Sequence, residues 1–137
     1  MDITVNFEFI NLWAILLATV AVFLLGGIWY SPSLFGRFGV VAAHRSDEES
    51  DRNIQAIFVL AFILQWLTAS LLAAVLGPNS TLLGGLTVGL LVGCFFVTTA
   101  LGITDIFDNK PLIHLLVNGG YHITSFAVMG MIIGFWH

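Results

Sequence analysis

The chain of 137 residues is 58% hydrophobic and 9% charged, with a formal net charge of -4 and a mean hydropathy of +1.00. Soluble domains use roughly 25% charged residues, and a water-soluble fold of this length could not cover so much apolar surface. Four basic side chains and a pI near 5.3 also argue against nucleic acid as a partner.

The first segment, Met1 to Glu8, has no Lys or Arg and carries Asp2 and Glu8. A cleaved signal peptide needs a basic start, so the apolar stretch that follows is expected to be retained as a membrane span. Phe9 to Gly36 holds no charged side chain. Within it, Leu12 to Tyr30 supplies the roughly 20 residues that cross a hydrocarbon core of about 30 Å. Ser31-Pro32 stops this helix, because proline disfavours the α conformation in the residue before it.

The next segment carries Arg37, Arg45 and Arg52. Ser46-Asp47-Glu48-Glu49 has the S-x-x-E spacing of a capping box, with acidic groups where the helix dipole favours them. A second helix is expected to start there. His44 beside it reads as an exposed loop residue. The acidic cluster lacks the pattern of a calcium loop, and no metal site is expected.

Asn53 to Thr104 is too long for one crossing, and Gly77-Pro78-Asn79-Ser80 near its middle has turn chemistry. It is a helical hairpin. The last span begins near Pro111 and runs apolar to Trp136. The spacing thus predicts an all-α integral membrane protein, a single four-helix bundle over 1–137 with spans at about 11–30, 53–76, 81–104 and 112–136. Alternating ten-residue segments of a β-barrel are not present.

Arg37, Arg45 and Arg52 lie between the first two spans and Lys110 between the last two, which predicts those loops inside and both termini outside. Trp13 and Trp136 then fall near the outer surface, and Trp29 and Tyr30 near the inner one. Trp66 sits mid-span and reads as a packing residue. The single cysteine, Cys94, excludes an intrachain disulfide.

Gly26-Gly27-Ile28-Trp29-Tyr30-Ser31-Pro32-Ser33-Leu34-Phe35-Gly36 resembles the G-x-W-Y-S-P-x-x-F-G signature of a bacterial membrane family called domain of unknown function 1761. Phe107, Lys110-Pro111, Asn118-Gly119-Gly120-Tyr121, Met129-Gly130 and Gly134-Phe135-Trp136 are similar to it too, and Asn11 matches an Asn that often opens the first helix. Where family members often carry a Trp soon after the Phe-Gly, this chain has Arg37-Phe38-Gly39. The resemblance implies a four-helix domain of the bacterial cytoplasmic membrane and brings no established activity with it.

On a helical wheel at about 100° per residue, Gly85, Gly89 and Gly93 form one stripe of the third helix, opposite Thr87, Cys94, Thr98 and Asp105. On the fourth helix His114, Asn118, Tyr121, His122 and Ser125 share an arc, with Gly119, Gly130 and Gly134 on the far side. The second helix adds Gln65 and Thr68. A short connection makes the third and fourth helices antiparallel neighbours, and counting outward from Asp108 sets Thr98 level with Asn118 and Cys94 level with His122. The expectation is a polar seam of Thr98, Asn118, Tyr121, His122, Ser125 and Asp105 between these helices. The glycine faces then remain to be buried, which favours a homo-oligomer.

Interhelical hydrogen bonding alone accounts for Asn118, Thr98, Ser125 and Gln65. His122 and Asp105 are the candidates to go further, since ionisable groups inside a membrane often mark ion and proton paths; the plain alternatives are a hydrogen-bonded neutral histidine and an Asp105 that caps its helix or pairs with Lys110. The leading expectation is a small oligomeric channel or transporter for protons or a small solute. The alternative is a non-catalytic accessory or assembly subunit of a membrane complex, with a membrane-protein partner besides lipid. His114 and His122 are eight residues apart on one helix and cannot ligate both faces of one haem without a second chain, so no cofactor is expected. Neither H-E-x-x-H nor G-x-S-x-G occurs, and Cys94 has no thiolate-stabilising cation at its depth, so enzymatic chemistry is not expected.

Overall fold

The computed structural model describes residues 7–8, 10–31, 33–35 and 53–136. Pro32, Gly36, His44, Arg37, Arg45, Arg52 and the Ser46–Glu49 capping box lie outside the described residues. Four helices cross the fold: α1 (Leu12–Trp29), α2 (Ile54–Leu76), α3 (Leu82–Phe107) and α4 (Leu112–Phe135), each long and apolar enough to span a membrane. There is no strand among the described residues. The chain is an all-α, four-helix integral membrane protein.

The first three helices start on side chains that satisfy free backbone N–H groups. The Asn11 carboxamide oxygen accepts from the amides of Trp13 and Ala14 at 3.0 and 3.4 Å, and Asn53 does the same for Gln55 at 3.0 Å. The second span therefore begins on Asn53, seven residues after the serine of the expected capping box. Asn53 is itself a preferred cap residue and directly precedes the apolar run. Thr81 caps α3 through the amide of Gly84 at 3.0 Å. Between α2 and α3 the chain turns at Gly77, whose φ of 72° suits glycine.

α3 ends three residues beyond Thr104, in a turn that needs no glycine. The amide of Lys110 bonds back to the Asp105 carbonyl at 2.9 Å and that of Asn109 to Ile106 at 3.2 Å, with Asn109 at φ 55°. This is the Schellman pattern, and asparagine is the usual non-glycine residue to tolerate it. Pro111 then opens α4.

α4 is the centre of the bundle. On one side Met129 and Ile133 join Ile15, Ala18 and Val22 of α1 and Ala69 and Leu72 of α2 in the buried core, with Trp66 packed at its edge. On the other side α4 lies along the first half of α3 without intervening side chains. A Cβ built on Gly85 would overlap the Gly130 carbonyl, one on Gly89 the Phe126 carbonyl, and one on Gly134 the Thr81 carbonyl. Backbone meets backbone there, as small residues allow where lipid gives no hydrophobic drive.

The glycine stripe of α3 is therefore occupied inside the chain, and the expectation that it serves a contact between subunits is corrected. Large apolar side chains such as Leu64, Leu67, Leu71, Phe95 and Phe96 point outward instead. These are the surfaces for lipid.

Midway, Val92–Val97 of α3 is π-helical. The Thr98 hydroxyl donates to the Gly93 carbonyl at 2.7 Å, five residues back, where it fills the widened turn.

Candidate functional site

The turn at Asn109 brings the last turn of α3 against the first turn of α4. Asp105 and His114 meet there, with Nδ1 of His114 2.8 Å from a carboxylate oxygen of Asp105. One turn further along α4, at the i, i+4 spacing that places side chains on one face, Asn118 presents its NH2 to Nε2 of His114 at 3.1 Å. The other end of that amide accepts from Tyr30, whose hydroxyl lies 2.6 Å from the Asn118 oxygen.

These contacts assign the hydrogens. A carboxylate only accepts, so Nδ1 of His114 carries a proton toward Asp105. An amide nitrogen only donates, so Nε2 of His114 is the acceptor, and the imidazole is neutral in this arrangement. Donors run in one direction, from Tyr30 through Asn118 and His114 to Asp105. The side chains of His114 and Asp105 are 17% and 10% exposed, so the chain lies within the bundle but reaches its surface at the Asn109 end.

The residue before Tyr30 holds α4 as well. Nε1 of Trp29 donates to the Val117 carbonyl at 3.0 Å, and its ring edge leaves no slack at Gly120, where an added Cβ would stand 3.1 Å away. Phe35 stacks on the other side of Trp29 at 4.5 Å between ring centres, and the Ser31 hydroxyl closes the end of α1 on the Ile28 carbonyl at 2.7 Å. Trp29 and Tyr30 thus grip consecutive residues of α4.

The six seam residues do not form one seam. Asp105 and Asn118 belong to the chain just described. Thr98 faces α4, but its hydroxyl turns to the carbonyls of Gly93 and Gly119, the latter at 3.5 Å, and not to Asn118 or His122. Tyr121 points at α1, with its hydroxyl 3.4 Å from the Val22 carbonyl and its ring 5.3 Å from that of Tyr30. His122 lies beside Tyr121, ring centres 5.1 Å apart, and Ser125 is buried in α4. Glycine backbone fills the half of the α3–α4 contact nearer the α2–α3 turn, so the expected continuous seam between those helices is corrected to a short polar chain that continues onto α1.

Sequence reasoning placed His114 in the polar arc without a partner and read Tyr30 as a motif residue and an interfacial aromatic. The signal for the first was available: Asp105 and His114 flank the turn symmetrically. The second partner depends on which helix α1 packs against.

No curated protein and no solved structure matches this chain. The family described as "Protein of unknown function (DUF1761)" matches residues 13–134, which include Trp29, Tyr30, Asp105, His114 and Asn118. The chain belongs to that family.

Proposed function

We propose that this protein is a small membrane transporter that takes up and releases a proton at the Asp105–His114 pair, moving protons or a proton-linked small solute. The observation that supports it is the unbroken hydrogen-bonded chain from Tyr30 to Asp105 inside an apolar bundle. Ionisable groups within a membrane domain are costly and mark proton relays. A histidine is the side chain whose charge changes nearest neutral pH.

The positions of the four basic residues support an orientation with the Asn109 end on the cytoplasmic side of a bacterial cytoplasmic membrane and both termini outside. The relay then opens inward and the glycine contact closes the outer half. Copies that associate do so through the exposed faces of α2 and α3, and not through the glycines.

Purified protein in liposomes with an imposed pH gradient and an internal pH dye tests this. Wild-type vesicles should dissipate the gradient faster than empty ones, and His114→Phe should return the rate to that of empty vesicles. A wild-type rate equal to the empty control rejects the reading. The accessory-subunit alternative draws support from α2, which buries only Ala69, Leu72 and Ala74 and leaves a long apolar face outward. A mass measured for the complex in mild detergent that is not a multiple of 14.9 kDa favours it.

A further inference from the structure

The hydrogen-bonded chain has a direction, and one of its members can reverse. Asn118 stands between His114 and Tyr30 with its nitrogen toward the first and its oxygen toward the second. An imidazolium donates from both ring nitrogens, so a proton gained at Nε2 would confront the Asn118 NH2 with a second donor. The amide relieves this by turning over. Its oxygen then accepts from Nε2, its nitrogen faces Tyr30, and the Tyr30 hydroxyl changes from donor to acceptor.

We infer that Asn118 is a two-position relay that carries the protonation state of His114 to Tyr30 at the end of α1. This rests on His114 being the proton-exchanging group of the proposed function, but not on transport itself. The groups around His114 fit such a role. Asp105 from α3 holds Nδ1 in both states, because a carboxylate accepts from neutral and charged imidazole alike. Asp108 and Lys110 lie in the adjoining turn, Tyr121 and His122 follow on α4, and Tyr30 comes from α1. α2 carries no titratable residue over Ile54–Leu76.

The consequence is a link between two distant stretches of chain. Tyr30 and Asn118 are 88 positions apart, and Tyr30 is the cap residue on which α1 ends. Its neighbour Trp29 holds Val117 in either state, since a backbone carbonyl has no second position to take. Reversal at Asn118 therefore alters one bond at the end of α1 and leaves the other as a pivot.

Solid-state NMR on the full chain in lipid bilayers, with 15N in the histidine rings and 13C at the tyrosine Cζ, tests the relay between about pH 5 and 9, where histidines titrate. Ring nitrogen shifts report protonation of His114, and the Tyr30 Cζ shift reports whether its hydroxyl donates or accepts. In the wild type both should change with the same midpoint. In Asn118→Leu, His114 should still titrate while the Tyr30 response is lost; Asn118→Ala serves if the leucine variant does not fold. A Tyr30 signal that stays constant while His114 titrates overturns the relay, as does a His114 that does not titrate in this range. A Tyr30 response that persists without Asn118 also overturns it. Coupled titration in a protein without proton flux supports the relay and rejects transport, whereas flux with an unresponsive Tyr30 does the reverse.

Discussion

The hydroxyl of Tyr30 donates to the side-chain oxygen of Asn118 at 2.6 Å and so fastens the end of α1 to the second turn of α4. Neither residue is ionisable near neutral pH, yet between them they extend the reach of the Asp105–His114 pair from one helix hairpin to a third helix. A membrane interior makes such a bond worth keeping, because the broken partners find no water.

Tyr30→Phe keeps the ring against Tyr121 and removes only the donor. It should lower stability by about 0.6 to 2 kcal/mol, the range for hydrogen bonds between membrane helices. Asn118→Leu also gives up the bond to His114 and should cost more, and the two changes together should cost less than their sum, since both break the bond between Tyr30 and Asn118. Unfolding titrations in mixed micelles measure all three. Full additivity would show that the bond contributes nothing.

Gly85→Ala should be among the most damaging single changes, because the new methyl overlaps the Gly130 carbonyl and backbone cannot step aside as a side chain can. Overpacking of this kind costs about 1 to 3 kcal/mol or more. Gly27→Ala is the control, with nothing within 4 Å of the added carbon. Thermal scans should separate the two variants clearly. The subunit number in detergent should be unchanged by Gly89→Leu in any molecules that still fold, since the stripe meets α4 of its own chain.

Two histidines on α4 should behave differently in the vesicle assay. His114→Phe breaks both bonds of the relay and should abolish gradient dissipation. His122→Phe keeps a ring beside Tyr121 but removes two nitrogens that stand outside the relay, and should leave the rate within about twofold of wild type, a change of under about 0.5 kcal/mol. Equal losses in both would move the proton site up the helix.

A reporter enzyme fused after residue 137 should be active only outside the cytoplasm, and one inserted beside residue 44 only inside it, because Arg37, Arg45, Arg52 and Lys110 all fall in two loops on one side. The opposite pattern would turn the relay toward the outer surface.

The number of helices and their approximate limits were legible because spans of uncharged residues have a length that lipid dictates. The axial register of α3 against α4 was legible too. Counting from the turn set Thr98 beside Asn118, and Thr98 lies against Gly119. What failed was the direction in which α3 points its side chains. A straight wheel sets Thr98 and Asp105 opposite Gly85 and Gly89, but the π-helical turn at Val92–Val97 rotates everything after it, so that both sets face α4. Nothing in V-G-C-F-F-V marks that turn locally. Tyr30 was illegible for another reason: its partner is fixed by how α1 packs on α4, a matter of three-dimensional assembly.

The central position of α4 also has a bearing on how the protein is made. It is the last of the four helices to emerge from the ribosome, and until it enters the bilayer Trp29 has no Val117 carbonyl, Tyr30 no Asn118, and the glycines of α3 no backbone to rest on. The three earlier helices must wait in the membrane as loosely associated segments. Completion of the fold is thereby tied to completion of the helix that ends at Phe135, and a chain stopped before Leu112 lacks every one of these contacts.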